Sequence, residues 1–239
     1  SAAGDVNGDG FADFLVSAPA DGRDGAVSGR VYLYLGRPHL SATPDLELVP
    51  NRIGTQFGIS ATGIGDVNGD GYADFAVGAN TDGTAGRVAG KTYVYLGGAH
   101  PDGDPDLQLY AAGAGDWYGC CIRGIGDING DGIDDFAVAA ERARGFEEWG
   151  GTVSVYLGGQ NLDPHPRAVL RGKGSNSKFG NVFTACDVNG DGHPDILVGA
   201  YGDGSDGPVA PSAMPGAGCS RGARSTPAPR ARQCGTRSA

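Results

Sequence analysis

A repeat governs this sequence. The acidic nonapeptide DVNGDGFAD at residues 5–13 returns as DVNGDGYAD from Asp66, DINGDGIDD from Asp127 and DVNGDGHPD from Asp187. The spacings are 61, 61 and 60 residues. A fixed period of this kind marks an architecture in which one supersecondary unit stacks on copies of itself.

Other features keep the same step. Phe57-Gly58 is followed, 61 residues on each time, by Tyr118-Gly119 and Phe179-Gly180. After each acidic loop comes an apolar run: FLVSAP (14–19), FAVGAN (75–80), FAVAAE (136–141) and ILVGAY (196–201). A glycine then precedes an alternating run: GRVYLYLG (29–36), GKTYVYLGG (90–98) and GTVSVYLGG (151–159). DLELV (45–49), DLQLY (106–110) and RAVLR (167–171) close the units. These runs are short, favour β-branched and aromatic residues, and are bounded by Gly, Pro, Asn and Asp, which is the chemistry of strands. No segment carries a sustained helical period. Each unit is therefore predicted to form four short antiparallel strands, the make-up of a β-propeller blade. A β-sandwich is the competing all-β reading, and the regular period argues against it.

The units are read as 1–56, 57–117, 118–178 and 179–207. The first lacks an FG pair, so the strand before its loop is expected to be missing, and the chain reads as starting inside a repeat. No basic stretch followed by an apolar run marks a signal peptide at the N-terminus. Residues 208–239 break the pattern. They hold five arginines and no acid, in a Pro/Ala/Gly/Ser-rich context that reads as a disordered tail resembling out-of-frame sequence.

The chain carries a net charge of −10, so without its tail the body carries −15. An acidic body argues against nucleic acid as a partner. No run approaches 18 apolar residues, so no membrane insertion by a helix is expected. The five cysteines, Cys120, Cys121, Cys186, Cys219 and Cys234, are odd in number and fit neither a zinc pattern nor a disulfide framework.

Numbered from its first aspartate, each acidic loop has Asp, Asn, Asp and Asp at positions 1, 3, 5 and 9, with Gly at 6. Oxygen-bearing side chains at this spacing, with the main-chain carbonyl of position 7, suit a hard cation that takes six to eight oxygens, and so Ca2+ over Mg2+ or zinc. The candidate ligands are Asp5, Asn7, Asp9, Phe11 and Asp13; Asp66, Asn68, Asp70, Tyr72 and Asp74; Asp127, Asn129, Asp131, Ile133 and Asp135; Asp187, Asn189, Asp191, His193 and Asp195. Phe11, Tyr72, Ile133 and His193 would contribute their carbonyls alone. The loop opens like an EF-hand loop but does not close like one. Position 12, where an EF-hand needs a bidentate Glu, is Val16, Val77, Val138 or Val198. The plain alternative is a hairpin turn, for which NGDG suffices, but a turn needs no further aspartates at fixed spacing.

The order FG, then DxNxDGxxD, then an apolar run ending near GAP resembles the FG-GAP repeat of the integrin alpha-chain N-terminal domain and of many secreted bacterial proteins. The resemblance covers residues 1–207. Tyr118 departs from Phe, AAE stands for GAP in the third unit, and Cys186 replaces the glycine before the fourth loop. The resemblance implies a β-propeller, seven-bladed in integrins, with calcium in hairpin loops on one face. About four units are visible, so the propeller is expected to be partial.

The resemblance further implies a non-catalytic, calcium-binding module for adhesion or ligand binding, extracellular or at the cell surface, with a protein or carbohydrate ligand. The alternatives are an accessory propeller of a secreted hydrolase or lyase, with the catalytic domain outside these residues, or a decayed fragment. No nucleophile elbow, zinc-binding helix or phosphate loop appears. Trp149, within RARGFEEWGG (142–151), is the candidate partner-binding residue, in a loop that reads as longer than its counterparts.

Overall fold

Every short apolar run becomes a strand. In the computed structural model, which describes residues 1–23, 28–50 and 52–202, the strands are β1 (Ala2–Gly4), β2 (Asp13–Ala18), β3 (Arg30–Tyr34) and β4 (Leu46–Leu48). They continue as β5 (Ser60–Gly65), β6 (Asp74–Ala79), β7 (Lys91–Tyr95), β8 (Leu107–Tyr110), β9 (Tyr118–Gly126) and β10 (Asp135–Ala140). The last are β11 (Thr152–Tyr156), β12 (Ala168–Arg171), β13 (Phe183–Cys186) and β14 (Asp195–Val198). Among the described residues there is no helix. The Arg-rich tail, with Cys219 and Cys234, lies outside the described residues.

The strands form three four-stranded antiparallel sheets, each in simple chain order, and a two-stranded sheet from β13 and β14. Neighbouring sheets lie side by side, first on second, second on third and third on fourth. The array is an open arc of propeller blades. Its first strand, β1, survives as three residues paired with β2, so the strand expected to be missing is shortened instead.

The hydrophobic cores lie between blades. One joins Leu15, Val31 and Leu33 of the first blade to Phe57, Phe75 and Tyr93 of the second. The next joins Ile64, Val94 and Leu109 to Ile122, Phe136 and Tyr156. The third joins Ala137, Val153 and Val155 to Phe179 and Phe183. Inside each complete blade a Phe and a Tyr face each other across the two middle strands and stack: Phe14 on Tyr34, Phe75 on Tyr95 and Phe136 on Tyr156, with centroids 5.0, 4.9 and 5.1 Å apart. Such cross-strand pairs help fix the register.

The FG pair has a role that strand patterning does not show. In the second and fourth blades it sits in the turn before the first strand, and in the third it opens β9. The aromatic amide crosses to the preceding blade: Phe57 N donates to Ser28 O at 3.0 Å, Tyr118 N to Ala89 O at 3.0 Å and Phe179 N to Gly150 O at 3.1 Å. The residue that receives this approach is the glycine opening each alternating run. At Gly90, with φ +94°, a Cβ would stand 2.3 Å from Tyr118 O and 2.4 Å from Tyr118 N. Only a residue without a side chain lets two backbones come this close.

A second glycine shapes the approach to the first three acidic loops. In the first three blades the register slips by one residue just before the loop, between Ala2 and Gly4, Gly63 and Gly65, and opposite Asp135 and Phe136. The bulged residues Ala3, Ile64 and Ile125 are thereby driven into the cores between blades. Where Cys186 replaces this glycine, β13 pairs with β14 without a slip. Cys186 is exposed, Cys121 buried and Cys120 intermediate, and all three are free thiols.

Candidate metal centre

Because each blade is an antiparallel meander, its connections alternate between two ends. All four acidic loops, 5–12, 66–73, 127–134 and 187–194, join first to second strands and therefore share one end of the arc. The second-to-third connections share the other. They run over 19–29, 80–90 and 141–151, eleven residues each. The loop bearing Trp149 is thus no longer than its counterparts, and the regular period requires this.

Each loop is folded by its own carboxylates. In the first, Asp5 Oδ1 accepts from Asp9 N at 3.0 Å and Oδ2 from Gly10 N at 2.8 Å. Asn7 Oδ1 also accepts from Asp9 N, at 3.2 Å, and Asp9 Oδ1 accepts from Phe11 N at 2.9 Å. The same bonds recur in the second loop around Asp66, Asn68 and Asp70. They recur in the third around Asp127, Asn129 and Asp131, and in the fourth around Asp187, Asn189 and Asp191. Side chains that bond to nearby amides favour such turns.

The position-9 carboxylate closes the loop from inside the blade. Asp13 Oδ2 accepts from Val6 N at 2.7 Å and Oδ1 from Gly36 N at 2.7 Å. Asp74 repeats this with Val67 N and Gly97 N, and Asp135 with Ile128 N and Gly158 N. Gly36, Gly97 and Gly158, each 23 residues past its aspartate, are members of the loop's framework that reading the nonapeptide alone misses. The constant offset of the YLG segment from each loop is the signal that would have found them.

The electrostatics differ between the two ends of a loop. Burial pushes the Asp74 carboxyl up to about 7 and that of Asp135 to about 6, with the neighbouring loop carboxylates adding to it and the two amide bonds opposing. Asp13 is raised by the same cause. Asp187, at position 1, is held low chiefly by the Gly192 amide. For Asp127, burial would raise the carboxyl, but the amides of Gly132, Gly130, Asp131 and Asn129 outweigh it and hold it low. Among the described residues no Arg or Lys forms an ion pair with a loop carboxylate; the ion pairs engage Asp21, Asp45, Glu47 and Asp163.

The donors suit a hard cation. All are oxygens; Oδ1 of Asp66, Asp127 and Asp187 accepts two amides, but their Oδ2 atoms hold one N–H bond each and retain a free lone pair. Among the described residues, however, no three carboxylates or imidazoles already meet at one point. An exposed bond from Asn7 Nδ2 to Asp9 Oδ2, 3.0 Å long, is the contact that ligation would replace, and it recurs as Asn68 to Asp70 and Asn129 to Asp131.

An arc of four-stranded blades with one DxNxDGxxD hairpin loop per blade defines the repeat class of the chain. The family models agree: the FG-GAP repeat matches residues 1–34 and 57–95, and the FG-GAP-like repeat matches residues 127–198. The chain belongs to the FG-GAP repeat proteins, and its fold is a partial β-propeller of integrin-alpha type. It is 31% identical to integrin alpha-V of Gallus gallus over 217 residues, covering 84% of this chain and 20% of that protein. It is 38% identical to human integrin alpha-IIb over 150 residues, covering 59% and 14%. Against integrin alpha-PS5 of Drosophila melanogaster the figures are 34% over 148 residues, 59% and 14%. The chain thus spans a fifth or less of the length of these relatives.

Proposed function

We propose that the chain is a non-catalytic extracellular module for adhesion or ligand binding whose blades are locked by Ca2+ in the four acidic loops. The observation that carries this reading is the row of loops at one end of the arc, each holding three carboxylates to which, among the described residues, no basic side chain is paired. The ligands in each loop are the aspartates and asparagine at positions 1, 3, 5 and 9 with the carbonyl of position 7, from Asp5 in the first loop to Asp195 in the last. The ion's role is to neutralise and cross-link the loop. The opposite end is free to meet a protein or carbohydrate partner, and there Ile53, Phe146 and Trp149 stand 72%, 66% and 61% exposed. Aromatic side chains suit such contacts because they bring large area at low entropic cost.

With Kd near 0.1 mM and about 1 mM calcium, each site contributes roughly 1.4 kcal/mol by mass action, and four contribute roughly 6 kcal/mol. The melting temperature should therefore rise in millimolar calcium and fall in EGTA, and Asp70→Ala or Asp131→Ala should each blunt the response. A melting curve indifferent to EGTA would refute the metal reading. Binding of a partner that survives Trp149→Ala together with Phe146→Ala would move the recognition surface away from these residues.

A further inference from the structure

The acidic loops are not independent hairpins: the first two are tied by main-chain bonds to the loop of the next blade, and the first three are covered by it. Ala73 N, at position 8 of the second loop, donates to Asp5 O of the first at 3.0 Å, and Gly98 N of the second blade donates to Val6 O at 2.8 Å. One blade on, Asp134 N donates to Asp66 O at 3.1 Å and Gly159 N to Val67 O at 2.8 Å. Asp134 Oδ2 also accepts from Asp66 N at 3.1 Å.

The side chain at position 7 adds a cover. A Cβ placed on Gly8, at position 4 of the first loop, would fall 2.6 Å from Tyr72 Cε1. On Gly69 it would fall 3.4 Å from Ile133 Cδ1, and on Gly130 2.8 Å from His193 Cε1. Three successive loops are thus roofed by three chemically different side chains from the same position of the following loop. Phe11, at that position in the first loop, covers no described loop and is 44% exposed; of the three covering side chains Tyr72 and Ile133 are half-buried and His193 is exposed.

We infer that position 7 is a positioning residue for the neighbouring metal site: its side chain fixes the loop of the preceding blade, so adjacent calcium sites load cooperatively. This rests on the reading of the loops as calcium sites. A loop's carboxylates bind tightly only when its turn is already set. Position 4 is the crest of that turn, and the side chain of the next blade holds the crest while the two main-chain bonds hold its base. Filling one loop orders residues 72–73, or 133–134, which are the contacts that set the loop before it. Coupling of this type commonly amounts to a factor of about 5–150, and it is reciprocal between the two sites.

The test is a calcium titration of the full chain followed by NMR, with the Gly10 amide reporting the first loop and the Gly71 amide the second. Tyr72→Ala should weaken calcium binding at the first loop by about tenfold and leave the second loop, where Tyr72 offers only its carbonyl, within about twofold. Tyr72→Phe, which keeps the ring, should restore the first loop. Ile133→Ala supplies an independent copy of the test, read at Gly71 instead of Gly10. If wild-type loops bind calcium and neither alanine variant changes the preceding loop, the inference is overturned and the metal reading stands. If each alanine weakens only its own loop, position 7 acts locally and the inference is again overturned. If the wild-type loops take no calcium, the metal reading falls and this inference with it.

Discussion

Replacing Gly90 with alanine should break the joint between the second and third blades. Two costs combine at this site. The first is conformational, because an L-residue held at φ +94° loses about 1–2 kcal/mol. The second is steric. The new methyl would lie 2.3 and 2.4 Å from Tyr118 O and N, and both are backbone atoms. Tyr118 must therefore retreat, stretching its 3.0 Å bond to Ala89 O in a buried setting. A buried amide left without its partner costs about 1–3 kcal/mol. The total is about 4 kcal/mol, a large share of the 5–15 kcal/mol that holds a typical domain. Gly115 supplies the control. Its φ is +84°, yet a Cβ there meets nothing within 4 Å, so Gly115→Ala should cost only the conformational part, about 1–2 kcal/mol. At about 2–4 °C per kcal/mol for a chain of this size, thermal melts in calcium should fall by about 8–16 °C for Gly90→Ala and about 3–6 °C for Gly115→Ala. Equal losses in the two variants would show that the close approach of Tyr118 contributes nothing.

Phe57→Ala, which empties a fully buried site packed edge-on against Tyr93, should lower stability in urea by about 3–5 kcal/mol. A loss under 1 kcal/mol would contradict the placement of the core between blades. Burial raises the hydroxyls of Tyr93, Tyr95, Tyr118 and Tyr156 above their ordinary range. The folded chain therefore holds the neutral phenols, and the associated stability is complete below about pH 10 and is lost as pH rises past it. Absorbance at alkaline pH should show these phenols ionising together with unfolding; free titration of all nine tyrosines near pH 10 in a folded chain would refute this. The surface network of Arg23, Asp21 and Glu47 is exposed at its arginine, so Arg23→Ala should leave the urea midpoint close to that of the unchanged chain.

The strands were legible in the sequence because each is a short run with its own chemistry, and β2, β6 and β10 begin at the closing aspartate of each nonapeptide. The loops' internal geometry was equally legible, since an aspartate bonding to amides four and five residues on is a local event. What was hidden acts across a whole period. The FG aromatic reads as part of the strand pattern, yet its amide works between blades, and a main-chain contact leaves no mark on side-chain periodicity. The glycines of the YLG segments lie within the alternating runs, and nothing in a single run shows that Gly36, Gly97 and Gly158 hold the position-9 carboxylates. Trp149 stands in a loop that reads as longer than its counterparts, where the structure has only the usual eleven-residue connection.

The placement of the cores has a consequence for how the molecule can be divided. Each core takes one wall from one sheet and its other wall from the next. A blade cut out alone would carry two half-walls and no interior, so the smallest piece able to fold is a pair. Trimming the gene at the repeat boundary, the cut that the 61-residue period invites, would produce soluble protein only in multiples that keep at least one joint whole. Every blade between two neighbours belongs to two folding units at once.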